Sequence, residues 1–206
     1  METAITAHTE IHRDDTASKL GMWLFIFTEI LLFGGLFIVY TIYRYLNPVA
    51  FHLAHQELSV TIGFINTVIL LISSATVAMS ITAIQKGDKK KSMIFVGITL
   101  LLALAFLVNK YFEWGAKFEH GMYPGSEVMD MLSKGDILFF SLYFFMTGLH
   151  GVHIIVGMVL LSVSLYKIKK DKVRSDKYAL LENSGLYWHL VDLIWIFLFP
   201  LFYLIH

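Results

Sequence analysis

Five long apolar stretches dominate the chain. They run roughly from Leu20 to Tyr43, Leu58 to Ile84, Ser92 to Tyr111, Ile137 to Tyr166 and Gly185 to Ile205. A helix that crosses the hydrocarbon of a bilayer needs about 20 mostly apolar residues. Each stretch meets that length. Strands of a membrane barrel would be about 10 residues of alternating polarity, and these runs are longer and do not alternate. The pattern therefore predicts an all-α, polytopic membrane protein of five transmembrane helices. The breaks agree: Asn47-Pro48 follows the first run, Lys86-Gly87-Asp88 the second, and Tyr123-Pro124-Gly125 precedes the fourth. Residues 20–206 are expected to form one five-helix domain. Residues 1–19 are polar and mixed in charge, unlike a secretory signal, and are expected to be a loosely ordered cytoplasmic tail.

Charge gives these spans a direction. With five spans, the N-terminus, the second loop and the fourth loop share one side. That side carries Arg13, Lys19, Lys86, Lys89, Lys90, Lys91, Lys167, Lys169, Lys170, Lys172, Arg174 and Lys177. The other side carries only Arg44, Lys110, Lys117 and Lys134, and its third loop is acidic, with Glu119, Glu127, Asp130 and Asp136. Basic loops stay in the cytoplasm. The expected topology is an N-terminus in the cytoplasm and a C-terminus outside. Tyr40, Tyr43, Tyr45, Tyr111 and Trp114 stand at predicted headgroup levels, where amphipathic rings are favoured.

Composition narrows the chemistry. The chain is 57% hydrophobic and 16% charged, against about 45–50% and about 25% in soluble domains. It has no cysteine, which excludes disulfides, iron–sulfur clusters, thiolate zinc sites and a cysteine nucleophile. The lysines lie in short loops and form no basic face for nucleic acid.

Ionisable groups inside a membrane need a reason. Glu29 sits in the first span among apolar neighbours. It is expected to be a protonated carboxyl bonded to a neighbouring helix; proton handling is the alternative. Glu113, near Lys110 and Lys117, is expected to be a solvated or salt-bridged interface residue. His150 and His153 are three residues apart on the fourth span and share a face. A metal site usually takes three or four ligands, so a hydrogen-bonded structural pair is the favoured reading. His189 and Asp192 have the same spacing in the fifth span. Such a pair could orient a haem ligand, but an internal pair that keeps both groups inside the membrane is favoured. Glycines 34, 35, 148, 151 and 157 allow close helix approach. No catalytic or redox site is complete, which suits a subunit better than an enzyme.

Several segments resemble one known family. In the first span Trp23, Phe25 and Glu29, followed by Tyr40, Tyr43 and Arg44, are similar to a W-x-F-x-x-x-E…Y-x-x-Y-R pattern. Asn66-Thr67 with Ser73-Ser74, Phe112-Glu113-Trp114, Phe144 to Gly157, and Tyr187-Trp188-His189 with Asp192 and Trp195 continue the likeness in order. These resemble the cytochrome c oxidase subunit III family, of the five-span type, from about Leu20 to the C-terminus. Leu190 stands where the family usually has Phe, which keeps an apolar side chain. The resemblance implies a subunit with no haem or copper of its own, packed on the catalytic subunit I and accompanied by subunit II. Those partners would hold the haems and copper that reduce oxygen. It also implies bound membrane phospholipid, a proposed role in proton uptake and turnover stability, and a bacterial inner-membrane location within a larger respiratory assembly. By residue match, Glu29 corresponds to the family's buried, carbodiimide-reactive glutamate. The pairs His150/His153 and His189/Asp192 fall on structural positions, and Arg44 is a candidate partner for a lipid phosphate.

Three rival readings remain at this level. One is a five-span relative that accompanies nitric oxide reductase. Another is a stand-alone haem- or quinone-binding protein using His150, His153 and His189. The third is a small transporter, which would call for internal repeats and interrupted helices.

Overall fold

The structure is a computed structural model; it describes the backbone of residues 2–204 and the side chains of residues 17–204 apart from Asp130. Seven helices follow one another: α1 Glu2–Leu46, α2 Pro48–Ala54, α3 Val60–Gln85, α4 Lys89–Glu119, α5 Glu127–Asp130, α6 Lys134–Lys169 and α7 Ala179–Tyr203, with a 3-10 turn at His55–Glu57 between α2 and α3. Among the described residues no strand forms beyond an isolated bridge between Arg174 and Lys177. Five helices are long and apolar enough to cross a membrane: Ala17–Leu46 of α1, and α3, α4, α6 and α7. These are the five predicted from hydropathy. Helix α1 begins at Glu2, within the segment 1–19. One expectation needs correction. The third span does not end at Tyr111, because α4 continues to Glu119.

Local chemistry sets the helix ends. Pro48 opens α2, where its missing N–H costs nothing. Ser59, Asp88, Ser126 and Ser133 each cap a helix by accepting from a backbone N–H of its first turn. Gly87 takes a φ of 78°, a left-handed conformation that glycine adopts without a Cβ clash. It reverses the chain between α3 and α4 within a few residues.

The helices assemble through small polar contacts, since lipid tails provide no hydrophobic drive between apolar faces. Helix α3 meets α4 through Thr76 and Thr99 (2.7 Å) and through Asn109, which donates to Asn66 (2.9 Å). It meets α7 through the indoles of Trp188 and Trp195, which donate to Ser73 and Thr67 at 3.0 Å each. Helices α6 and α7 share a Ser164–Ser184 contact of 3.0 Å, and Tyr187 donates to the carbonyl of His153 (3.1 Å). Around these contacts lies a dense aromatic core in which Trp188, Trp195, Tyr143 and Phe106 are buried.

Helix α1 is the outlier. Its apolar residues Trp23, Leu24, Phe27 and Leu31 are each about 60% exposed. It is fastened to α7 at one end, where Asn183 donates to Ser18 (2.8 Å) and Lys19 pairs with Glu182 (3.1 Å). At the other end Tyr40 donates to the carbonyl of Leu201 (2.6 Å). That tie falls beside Pro200, where proline has removed a helical N–H. Outside the spans, Lys89 binds Asp171 at 2.7 Å and holds that carboxyl below its usual range, pinning the α6–α7 loop to the start of α4.

Close approach is strict at Gly157. A Cβ there would lie 2.7 Å from a ring carbon of Trp188, which is fully buried and has nowhere to move. A Cβ at Gly151 would meet nothing within 4 Å. Gly157→Ala is therefore expected to cost about 1–3 kcal/mol by overpacking, and Gly151→Ala to be neutral. Thermal melting of both variants in one detergent checks this; equal melting temperatures would remove Gly157 as a packing constraint.

Candidate functional site

Two polar centres lie inside the helices. The first joins α1 to α6. Glu29 Oε2 lies 2.9 Å from His153 Nε2, and both side chains are nearly buried. The other ring nitrogen of His153 lies 2.8 Å from the carbonyl of Leu149. A carbonyl only accepts, so Nδ1 carries a hydrogen. The contact between Nε2 and Oε2 then needs one more proton, held on either atom. A neutral imidazole facing an ionised carboxylate would set two acceptors against each other. The pair therefore acts as one unit: a carboxylic acid donating to imidazole, or an imidazolium donating to carboxylate. Both forms have zero net charge, the least costly arrangement in a membrane. Phe33 meets the His153 ring edge-on at 5.3 Å, and Tyr187 stacks on it at 6.5 Å.

The second centre was not foreseen. Lys110, counted above among the cations of the outer side, is 7% exposed inside α4. Its ammonium donates to Glu113 Oε2 (3.0 Å), to the Tyr143 hydroxyl on α6 (3.1 Å) and to the Tyr203 hydroxyl on α7 (3.0 Å). Both hydroxyls donate in turn to Glu113 Oε1, at 2.7 and 2.5 Å. Three bonds from Lys110 and three to Glu113 match an ammonium facing a carboxylate. The ring of contacts is closed, with every donor used. Nearby, Lys117 donates to the carbonyl of Glu57 (3.0 Å) and ties α4 to the 3-10 turn. Glu113 is thus salt-bridged as expected, but it is buried rather than solvated, because α4 runs two turns further than hydropathy suggested.

The histidine readings change as well. His150 does not bond to His153. It is fully buried between Phe106 and Trp195, at ring distances of 5.7 and 5.3 Å, and neither of its nitrogens has a hydrogen-bond partner among the described residues. Residues three apart on a helix diverge by about 60°, enough to send His150 into the bundle and His153 toward α1. His189 and Asp192 are not bonded to each other either. His189 Nδ1 lies 2.6 Å from the Ser74 hydroxyl. Asp192 is buried with Ser74 as its polar neighbour and makes no well-formed hydrogen bond. Arg44 lies in the last turn of α1 beside Tyr40, with no ion pair among the described residues. Among those residues no group of three or more His, Asp or Glu is placed to hold a metal ion.

The spacing Lys110, Glu113, Lys117 puts three charges on one helical face, and this was the signal available for the second centre. Nothing in sequence announced Tyr143 and Tyr203 as their partners.

These features define a membrane protein of five spanning-length helices joined by buried polar contacts. The family described as cytochrome c oxidase subunit III matches residues 2–206, and the chain belongs to that family of haem-copper oxidase third subunits. Among its relatives, "Quinol oxidase subunit 3" of Bacillus spizizenii is 33% identical, over 90% of this chain and 85% of its own length. "Cytochrome c oxidase subunit 3" of Yarrowia lipolytica is 34% identical over 68% of this chain; the match spans about half, 47%, of the yeast protein. "Heme-copper oxidase subunit I+III" of Aeropyrum pernix is 29% identical over 91% of this chain and 22% of its own length.

Lys110→Met leaves Glu113 buried and unpaired, and is expected to destabilise the protein by about 3–5 kcal/mol. The double variant Lys110→Met/Glu113→Leu removes both charges and is expected to recover most of that loss. Melting curves of the two variants and the parent measure it. A double variant as unstable as the single one would show that the charges are not coupled.

Proposed function

We propose that this chain is the accessory, cofactor-free subunit III of a bacterial haem-copper terminal oxidase, packed on the catalytic subunit I with subunit II in the same complex. In this reading it sits in the inner membrane, N-terminus in the cytoplasm and C-terminus outside, and serves aerobic respiration. The haems and copper belong to its partners. Family membership supports the assignment, and the relative named as a fused subunit I+III supports the packing on subunit I. The excess of basic residues on the N-terminal side supports the orientation.

The observation that carries the functional part is the Glu29–His153 pair. Its two facing atoms lie 2.9 Å apart between α1 and α6, a spacing that one shared proton would bridge, and α1 is the least buried of the five spans. A unit of this kind can pass its proton between two atoms without creating net charge in the membrane. That is a physical basis for a part in proton uptake, and for a link to bound phospholipid and turnover stability. Arg44 is the residue proposed to meet a lipid phosphate at the far end of α1. His150, His189 and Asp192 are proposed to be structural.

The assignment is tested by a tagged pull-down in mild detergent. Reduced-minus-oxidised spectra are taken of the complex and of the chain expressed alone. Haem bands in the complex and none in the isolated chain are expected. Haem in the isolated chain would favour a stand-alone redox protein, and a nitric-oxide-reducing partner would favour the other relative. For the pair, Glu29→Gln keeps the hydrogen bond, since the amide N–H donates to His153 Nε2, but removes the transferable proton. The expected outcome is intact assembly with altered proton uptake or a shorter catalytic lifetime. Unchanged turnover and lifetime across the neutral pH range would count against any ionisation of Glu29.

A further inference from the structure

Two histidines take no part in either polar centre. His52 stands in the last turn of α2, and His55 opens the 3-10 turn that follows. The backbone stays in the right-handed helical region through Ala54 and His55. Residues three apart on such a path share a face, and the two imidazole rings lie 5.1 Å apart between centroids, inclined at 45°. Nδ1 of His55 is 2.5 Å from the carbonyl of His52. A carbonyl only accepts, so that nitrogen carries the hydrogen and the lone pair is left on Nε2. The His52 ring is exposed and makes no hydrogen bond among the described residues.

The spacing is that of a chelate. An imidazole nitrogen binds zinc at about 2.0–2.1 Å, which puts the ring centroid about 3.2 Å from the metal. Two rings that share one ion at the tetrahedral angle then have centroids about 5.2 Å apart. The observed 5.1 Å matches that value, and the exposed His52 ring can rotate to aim its lone pair at the same point as Nε2 of His55. The bond from His55 Nδ1 to a backbone carbonyl is the contact that fixes the tautomer and ring orientation of metal-binding histidines. Imidazole suits zinc, copper and nickel among divalent ions. Two protein ligands are fewer than the four of a structural zinc site, so water completes the shell and the ion is exchangeable rather than resident.

We propose that His52 and His55 form a two-imidazole site for an exchangeable divalent transition-metal ion of the Zn2+ or Cu2+ type. The ion joins α2 to the 3-10 turn, in the connection between α1 and α3. On one side of the site Phe51 packs edge-on against Tyr40 and Phe139, at 5.4 Å each. On the other side the carbonyl of Glu57 accepts from Lys117. Metal binding braces the segment between these two anchors. The site does not depend on which catalytic partner the chain has.

The test uses the full chain, purified in mild detergent and stripped with a chelator. His8 and His12, four apart in the sequence, have a second chelating spacing, so His8→Ala/His12→Ala is the background throughout. Zn2+ is titrated by calorimetry, and Cu2+ is followed by electron paramagnetic resonance. One Zn2+ per chain is expected, without competition from Mg2+, which prefers oxygen ligands. Joining two ligands raises affinity about 100-fold or more over either alone. His52→Ala and His55→Ala are therefore each expected to weaken Zn2+ binding about 100-fold. The Cu2+ spectrum is expected to show coupling to two nitrogens in the background chain and to one in either variant. Neither ring is buried, so both variants are expected to melt with the background chain when metal is absent. A background chain that binds no Zn2+ would overturn the site, as would binding undiminished in either variant. Coupling to a single nitrogen before any substitution at His52 or His55 would overturn the chelate.

Discussion

A polar group in the hydrocarbon layer has no water to turn to, so it must find its partner within the protein. The contacts around Lys110 show how far that constraint reaches. An ammonium, a carboxylate and two phenols from three helices satisfy one another completely. Removing any one of them leaves the rest short of a partner in a medium that supplies none. The cluster therefore specifies how α4, α6 and α7 sit together at this end of the protein. It need not add much net stability to do so, since desolvating two charges costs about as much as their attraction returns.

The same constraint works in weaker form along the other interfaces. Serine and threonine hydroxyls on α3 receive the indoles of Trp188 and Trp195 and contact His189. Each such bond is worth roughly 0.6 kcal/mol in a membrane protein, too little to drive association alone. Their value lies in register: an indole N–H has one direction, and a helix rotated by one residue would lose its acceptor. Gly157 completes this logic on α6 by leaving room for the Trp188 ring.

Much of the architecture was legible in the sequence because spanning helices need only length and hydropathy. The five spans could be read directly, and so could the turn at Gly87. The errors share a cause. Hydropathy falls at Lys110, Glu113 and Lys117, so the third span was cut short at Tyr111 and Lys110 was counted with the cations of the outer side. The helix in fact continues because the charges are neutralised by partners 30 and 90 residues further along, and no local pattern carries that information. The histidine pairs failed for a related reason. Spacing says which residues share a face of one helix, but not which neighbour each will meet. His153 met Glu29 on α1 and His189 met Ser74 on α3, and neither bonded to the residue three positions away on its own helix.

Helix α1 shows what the internal contacts leave undone. It is held by Ser18 and Lys19 at one end, Tyr40 at the other and Glu29 between. Between these ties Ile26 and Phe33 are buried, while Trp23, Leu24, Phe27 and Leu31 are exposed. An apolar surface of that size is at rest only against acyl chains or another apolar protein surface. The Glu29–His153 contact thus lies where α1 meets the rest of the bundle. The Glu29–His153 contact of 2.9 Å is shared by two helices, while the Lys110 cluster draws its four members from three. The two polar centres thus differ in place as well as in number of partners: one ties α4, α6 and α7 within the bundle, and the other joins α6 to the least buried of the five spans.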